Sequence, residues 1–138
     1  MIEINNQTKS KINNNLIKET VLGFLKYFKV KKGEVSIAFI GDAKMRKLNK
    51  IYRGCDKTTD ILSFSEEENK TYLGEVLINY NQIKRQAKKY SSSIKEELLF
   101  ILVHGLLHLL GYEDDTEKGR EKMNALADNF FKNIKLSR

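Results

Sequence analysis

The order of its hydrophobic patterns predicts that this chain is an α+β domain, one sheet with helices packed on it. Three observations predict this. Strand-like segments, short and β-branched or alternating, end by about Ile78, and from there the period is helical. No proline, no Gly/Ser-rich linker and no internal repeat divides the 138 residues, so one domain is expected. Hydrophobic residues make up 41% and charged residues 31%, a composition that excludes disorder and supplies a real core, burying roughly 70% of the unfolded surface on ordinary scaling.

Taken in order, Ile2 to Asn5 reads as a short strand. From about Lys11 to Phe28, Ile12, Leu16, Ile17, Leu22, Phe24, Leu25 and Phe28 recur at near-helical spacing, and Lys31-Lys32-Gly33 is expected to end that helix. Val35 to Ile40 is a β-branched strand, and Gly41-Asp42 opens a short helix through about Ile51. A loop around Arg53 to Thr58 leads to strands at Asp60–Phe64 and Tyr72–Ile78, which read as a hairpin. Helices follow at about Asn81–Tyr90, Ile94–Leu110 and Thr116–Ile134, which makes four strands and five helices.

The longest apolar run, Leu98 to Leu110, is broken by His104, Gly105 and His108 and is too short to cross a bilayer. The start, Met1-Ile2-Glu3-Ile4, lacks a secretion signal, so a reducing, cytoplasmic location is expected, with no membrane partner. The one cysteine, Cys55, cannot form an internal disulfide. Lys and Arg number 25 against 18 Asp and Glu, a net +7, and the surplus is N-terminal. Residues 1–57 hold 13 basic and 5 acidic residues, whereas 96–138 hold 6 and 8. Such an imbalance suits a polyanion such as nucleic acid, and equally a lysine-rich solvated surface.

The apolar helix is the best-defined element. Ser93-Ile94-Lys95-Glu96 has the form of a capping box, and apolarity on nearly all sides marks a helix buried in the centre. Gly111 supplies the left-handed residue that stops it. The chain's two histidines, His104 and His108, lie on this helix four residues apart, hence on one face and one turn from each other. Imidazoles at that spacing recur in zinc hydrolases. Asp114, just past the turn, is placed to add a third ligand and leave a position open for water, the catalytic arrangement. Asp114 or Asp115 could equally cap the last helix, since Asp114-x-x-Glu117 resembles a second capping box. Gly105 stands where H-E-x-x-H peptidases carry their glutamate base, so ordinary zinc peptidase chemistry lacks its base here. In the loop Tyr52-Arg53-Gly54-Cys55-Asp56-Lys57-Thr58-Thr59-Asp60, Arg53 is suited to a phosphate or, alternatively, to an ion pair with Asp56 or Asp60.

These residues resemble a known family. His104-Gly105-Leu106-Leu107-His108-Leu109-Leu110-Gly111-Tyr112 is similar to the signature H-G-x-L-H-L-x-G-Y-D-H of the YbeY family of bacterial endoribonucleases. Leu48-Asn49 with Tyr52-Arg53-Gly54, Asp56-Lys57 and Thr59-Asp60-Ile61-Leu62-Ser63-Phe64 resembles that family's L-N-x-x-Y-R-x-x-D-x-P-T-D-V-L-S-F segment. Leu73-Gly74-Glu75-Val76 resembles its L-G-D-I strand, Met123 falls where it has a methionine, and the match runs over about 35–130. Asp114 stands where the family usually has its third histidine, and two turn prolines are replaced by Thr58 and Ser65.

The resemblance implies a small mixed sheet under about five helices, with one divalent ion, zinc, at the end of a basic cleft. It implies a single-strand-specific endoribonuclease of ribosomal RNA, acting in 16S rRNA 3′-end maturation and ribosome quality control beside ribosomal or small-subunit factors. In that scheme His104, His108 and Asp114 hold the metal, which activates a water, with His104 and Arg53 catalytic. Arg53, Lys57, Ser63 and Phe64 contact the RNA. The proton acceptor is open among the metal hydroxide, Asp114 and Glu113, with the substrate's own 2′-hydroxyl attacking in place of water as a further alternative. Two competing readings are a zinc-dependent peptidase-like hydrolase and a non-catalytic ribosome-associated factor.

Overall fold

The computed structural model describes residues 1–134, in the order β1 (Ile2–Asn6), α1 (Asn14–Tyr27), β2 (Glu34–Ile40), α2 (Asp42–Arg53), β3 (Ile61–Ser65), β4 (Tyr72–Asn79), α3 (Tyr80–Lys89), α4 (Ile94–Leu109) and α5 (Glu117–Asn133). The four strands form one mixed sheet, ordered β1-β2-β4-β3. β1, β2 and β4 run parallel, and β3 pairs antiparallel with β4 as the hairpin reading expects. The α+β class, the sheet and the five helices agree with the sequence reading.

Alternation along β2 and β4 splits the sheet into two unlike faces. Val35, Ile37, Phe39, Val76 and Ile78 belong to the main core with α1, α4 and α5. Ala38, Ile40, Leu62 and Leu77 point the other way and form a smaller cluster with Met45, Leu48 and Phe64 under α2. The apolar helix α4 is central, as its all-round apolarity requires: Leu102, Val103, Leu106 and Leu107 are fully buried. It packs on β3 and β4 below and on α1, α3 and α5 around it. Its start is fixed by Ser93, whose Oγ accepts a hydrogen bond from the Glu96 amide at 3.0 Å.

The start of α1 departs from the pattern, and its end is closed by a turn the pattern does not show. α1 begins at Asn14 rather than Lys11, because Asn13 Oδ1 accepts from Leu16 N at 3.1 Å and captures the free amides of the first turn. Its other end falls at Phe28 as the spacing expects, ahead of Lys31-Lys32-Gly33. Lys29 takes the left-handed conformation (φ 54°), with Val30 N bonding Leu25 O at 2.8 Å. That turn sends Phe28 and Val30 back onto the core, and their packing outweighs the steric cost of a non-glycine residue there.

A polar network ties α2, β4 and α3 together. The buried Asn79 donates from Nδ2 to Asp42 Oδ1 (2.7 Å) and Thr58 Oγ1 (2.9 Å), and its amide bonds Asp60 O at 2.9 Å. Arg85 grips both Asp42 oxygens, at 3.0 and 2.6 Å. That guanidinium, more than any other neighbour, lowers the Asp42 pKa to about 2. The pair is about half exposed, so solvent screens it, and Arg85→Ala is expected to destabilise the fold by only about 0.5–1 kcal/mol at pH 7. Because the folded-state value lies below the ordinary 3.8, this stabilisation is complete above that pH and fades as pH falls through about 2. Urea unfolding of wild type and variant across that window checks it; a gap that does not narrow contradicts the assignment.

Candidate metal centre and cleft

His104 and His108 project from one face of α4, with ring centroids 5.7 Å apart. Past His108 the helix ends in a reversal for which Gly111 adopts φ 98°, while Gly111 N bonds His108 O at 2.9 Å and Tyr112 N bonds Leu107 O at 3.2 Å. The reversal returns Asp114 to the histidines. Asp114 Oδ2 lies 3.6 Å from His104 Nε2 and 3.4 Å from His108 Nε2. The alternative role for Asp114 is filled elsewhere: Thr116 caps α5, its Oγ1 accepting from Gly119 N at 3.0 Å. Arg120 donates to the Asp114 carbonyl at 3.2 Å and anchors the turn.

The three residues form a group able to hold a metal ion, and three observations fit it. Two ligands each about 2.0–2.1 Å from a tetrahedral zinc stand about 3.3–3.4 Å apart, close to the separations found and longer than an ordinary hydrogen bond. His108 Nδ1 lies 2.9 Å from the Tyr112 carbonyl. That nitrogen therefore carries the proton and donates, leaving the Nε2 lone pair turned toward Asp114. Burial first, and then the neighbouring His108, hold the His104 pKa below the ordinary imidazole value against the opposing pull of Asp114 and Asp60. A neutral ring is the form that binds a metal. His104 Nδ1 is buried with no hydrogen-bond partner among the described residues, so packing, including Phe100 at 5.4 Å between centroids, orients this ring.

The site opens on a cleft of about 600 Å³ lined by Arg53, residues 59–65, His108, Glu113 and Asp114. Arg53 stands at the end of α2 and donates from Nη2 to Ser63 O at 3.0 Å, with its guanidinium 5.6 Å from the Phe64 ring centre. It forms no ion pair among the described residues. Asp56, one of its two expected partners, is taken by Arg46 at 2.9 Å, with Lys50 at 4.0 Å. Ser63 Oγ donates to Gly105 O at 3.1 Å, joining β3 to the histidine helix. Lys57 is exposed in the loop and is not among the lining residues; its carbonyl accepts from Asn49 Nδ2 at 2.9 Å.

Asp60 was read from the sequence only as a partner for Arg53, yet it lines the cleft and acts electrostatically on His104. Its signal was its place in the Thr59-Asp60-Ile61-Leu62-Ser63-Phe64 segment, one residue before a strand that meets α4.

The family model described as Endoribonuclease YbeY matches residues 2–135. A relative named Endoribonuclease YbeY from Mycoplasmopsis synoviae is 40% identical over 128 residues, 87% of this chain and 83% of the relative. Another of that name, from a Sulfurihydrogenibium species, is 38% identical over 136 residues, 94% and 90% of the two chains. A Thermotoga maritima protein solved in solution superposes with a TM-score of 0.64 at 25% identity, covering 96% of this chain and 90% of that one.

Asp114→Ala is expected to weaken binding of one divalent ion by more than the roughly 10–100-fold that loss of an outer-shell partner costs. Calorimetric titration with zinc checks this. Equal affinity in wild type and variant would remove Asp114 from the ligand set.

Proposed function

Because the chain belongs to the YbeY family, we propose that it is a metal-dependent, single-strand-specific endoribonuclease. Its substrate is ribosomal RNA, in 16S rRNA 3′-end maturation and ribosome quality control, and its partners are ribosomal or small-subunit factors. The observation that carries this reading is the opening of His108 and Asp114, with Arg53, on one cleft. His104 joins them as the third, more buried ligand.

His104, His108 and Asp114 hold the ion, with zinc the metal favoured by two imidazoles and a carboxylate. The bound cation supplies Lewis acidity to the phosphodiester. The chain's own residues do the rest. Arg53 spends one N–H on the Ser63 carbonyl, which fixes its plane, and keeps its other donors for a phosphate oxygen. Charge growing on that oxygen is offset by a guanidinium that forms no ion pair among the described residues. Glu113 and Asp60 line the same cleft, where one carboxylate takes the proton of the attacking water as the new P–O bond forms and returns it to the ribose oxygen released when the old P–O bond breaks. Phe64, under the Arg53 guanidinium, offers part of its ring to a base.

The peptidase reading is disfavoured at Gly105. A side chain there would be driven into β3 and β4, and no carboxylate follows the first histidine. No helix among the described residues is long and apolar enough to cross a membrane.

Zinc-loaded protein incubated with a single-stranded RNA and, separately, with casein tests the reading. RNA should be cut and casein spared, chelation should abolish cutting, and Arg53→Ala should lower kcat/KM about 10²–10³-fold. Casein cleavage would establish the peptidase instead, and RNA binding without cleavage a non-catalytic factor.

A further inference from the structure

On the side of the sheet away from α4, α2 covers only part of the surface. Beside it lies a groove of about 350 Å³, and it meets the metal cleft at Phe64, which lines both. Strand register ranks its floor along two rows of the sheet, Glu3–Ser36–Glu75–Phe64 and Asn5–Ala38–Leu77, the second continued by the buried Leu62 outside the groove. Small side chains at Ser36 and Ala38 make the hollow, and each row spans three strand spacings, about 14 Å. The α2 wall presents Lys44, Leu48 and Tyr52.

We infer that this groove is a second binding subsite, taking nucleobases of the single-stranded RNA on one side of the scissile phosphate and preferring bases that carry an exocyclic amino group. The inference rests on the endoribonuclease reading and extends it to substrate selection. Three observations carry it. At the junction, Tyr52 is 60% exposed, its ring stands 5.2 Å from that of Phe64, and the Arg53 guanidinium lies over the other ring, giving the aromatic and guanidinium surfaces on which unpaired bases stack. On the floor, Glu3, Asn5, Ser36 and Glu75 make no side-chain hydrogen bond or ion pair among the described residues. Two carboxylates there repel phosphate, so the bases and not the backbone face the floor, and carboxylate oxygens accept from amino groups such as cytosine N4. Uracil has none to offer. Lys44 on the groove wall, bonded to Gln7 Oε1, and Arg53 in the adjoining cleft place positive charge where the phosphates pass.

The test compares cleavage of an octanucleotide with that of a dinucleotide, which is too short to reach from the metal into the groove. In Tyr52→Ala the advantage of the octamer in kcat/KM should shrink about tenfold, and Tyr52→Phe should restore it, since stacking needs the ring and not the hydroxyl. In Glu75→Gln the preference for oligoadenylate or oligocytidylate over oligouridylate should fall at least about fivefold. An unchanged length advantage together with an unchanged base preference would overturn the subsite and give the groove to a protein segment, while cleavage by the wild type would leave the nuclease reading standing. If the wild type cuts no RNA, the nuclease reading fails, and anisotropy of a labelled octanucleotide on chelator-treated protein still decides the groove. Weaker binding by Tyr52→Ala supports it, and equal binding overturns it.

Discussion

The site depends on how closely α4 can lie against the sheet, and Gly105 sets that distance. A Cβ at this position would run into Ile61 Cδ1, come within 2.9 Å of Val76 Cγ1 and stand 3.3 Å from Ser63 Oγ. With hydrogen in its place, the helix backbone approaches β3 until Ser63 Oγ reaches the Gly105 carbonyl. His104 and His108 flank this contact on the same helix. The glycine that removes a peptidase base is thus also what brings two imidazoles alongside the strand that carries the Arg53 anchor.

The other half of the cleft is held by a different kind of contact. The segment between α2 and β3 has little apolar substance, and Arg53, Cys55 and Lys57 are all exposed. What fixes it is polar: Asn49 binds the Lys57 carbonyl, while Asn79 binds Thr58 and the Asp60 carbonyl. Asn79 and Asn49 are buried, so each satisfied amide there is costly to break. An apolar helix on one side and a hydrogen-bonded loop on the other place Asp60, Arg53, His108 and Asp114 around one volume.

Much of this was legible in the sequence, for reasons that differ by element. The helix α4 announced itself because burial on all sides leaves a long apolar run, and Ser93 and Gly111 mark its ends through backbone chemistry that few residue types supply. The histidine pair was legible because spacing of four on a helix is itself geometry. Asp114 was ambiguous, because a carboxylate near a helix start serves as cap or ligand equally well and only the fold shows Thr116 taking the cap. The end of α1 near Phe28 was legible, but the left-handed turn at Lys29 that follows it was not. It is decided by tertiary packing of Phe28 and Val30, against the local preference for Gly33. The approach of Asp60 to His104 and the groove beside Tyr52 were hidden for a related reason, since both arise from segments distant in sequence being laid side by side.

α4 and the turn after it set His104, His108 and Asp114 around one point, where they would share a single cation. X-ray absorption of the protein loaded with a single equivalent of zinc tests this most directly. The account expects two imidazole nitrogens and oxygen ligands in the inner shell at about 2.0–2.2 Å, with no sulfur. A shell with one imidazole or none, or a Zn–S distance near 2.3 Å from the exposed Cys55, would contradict it.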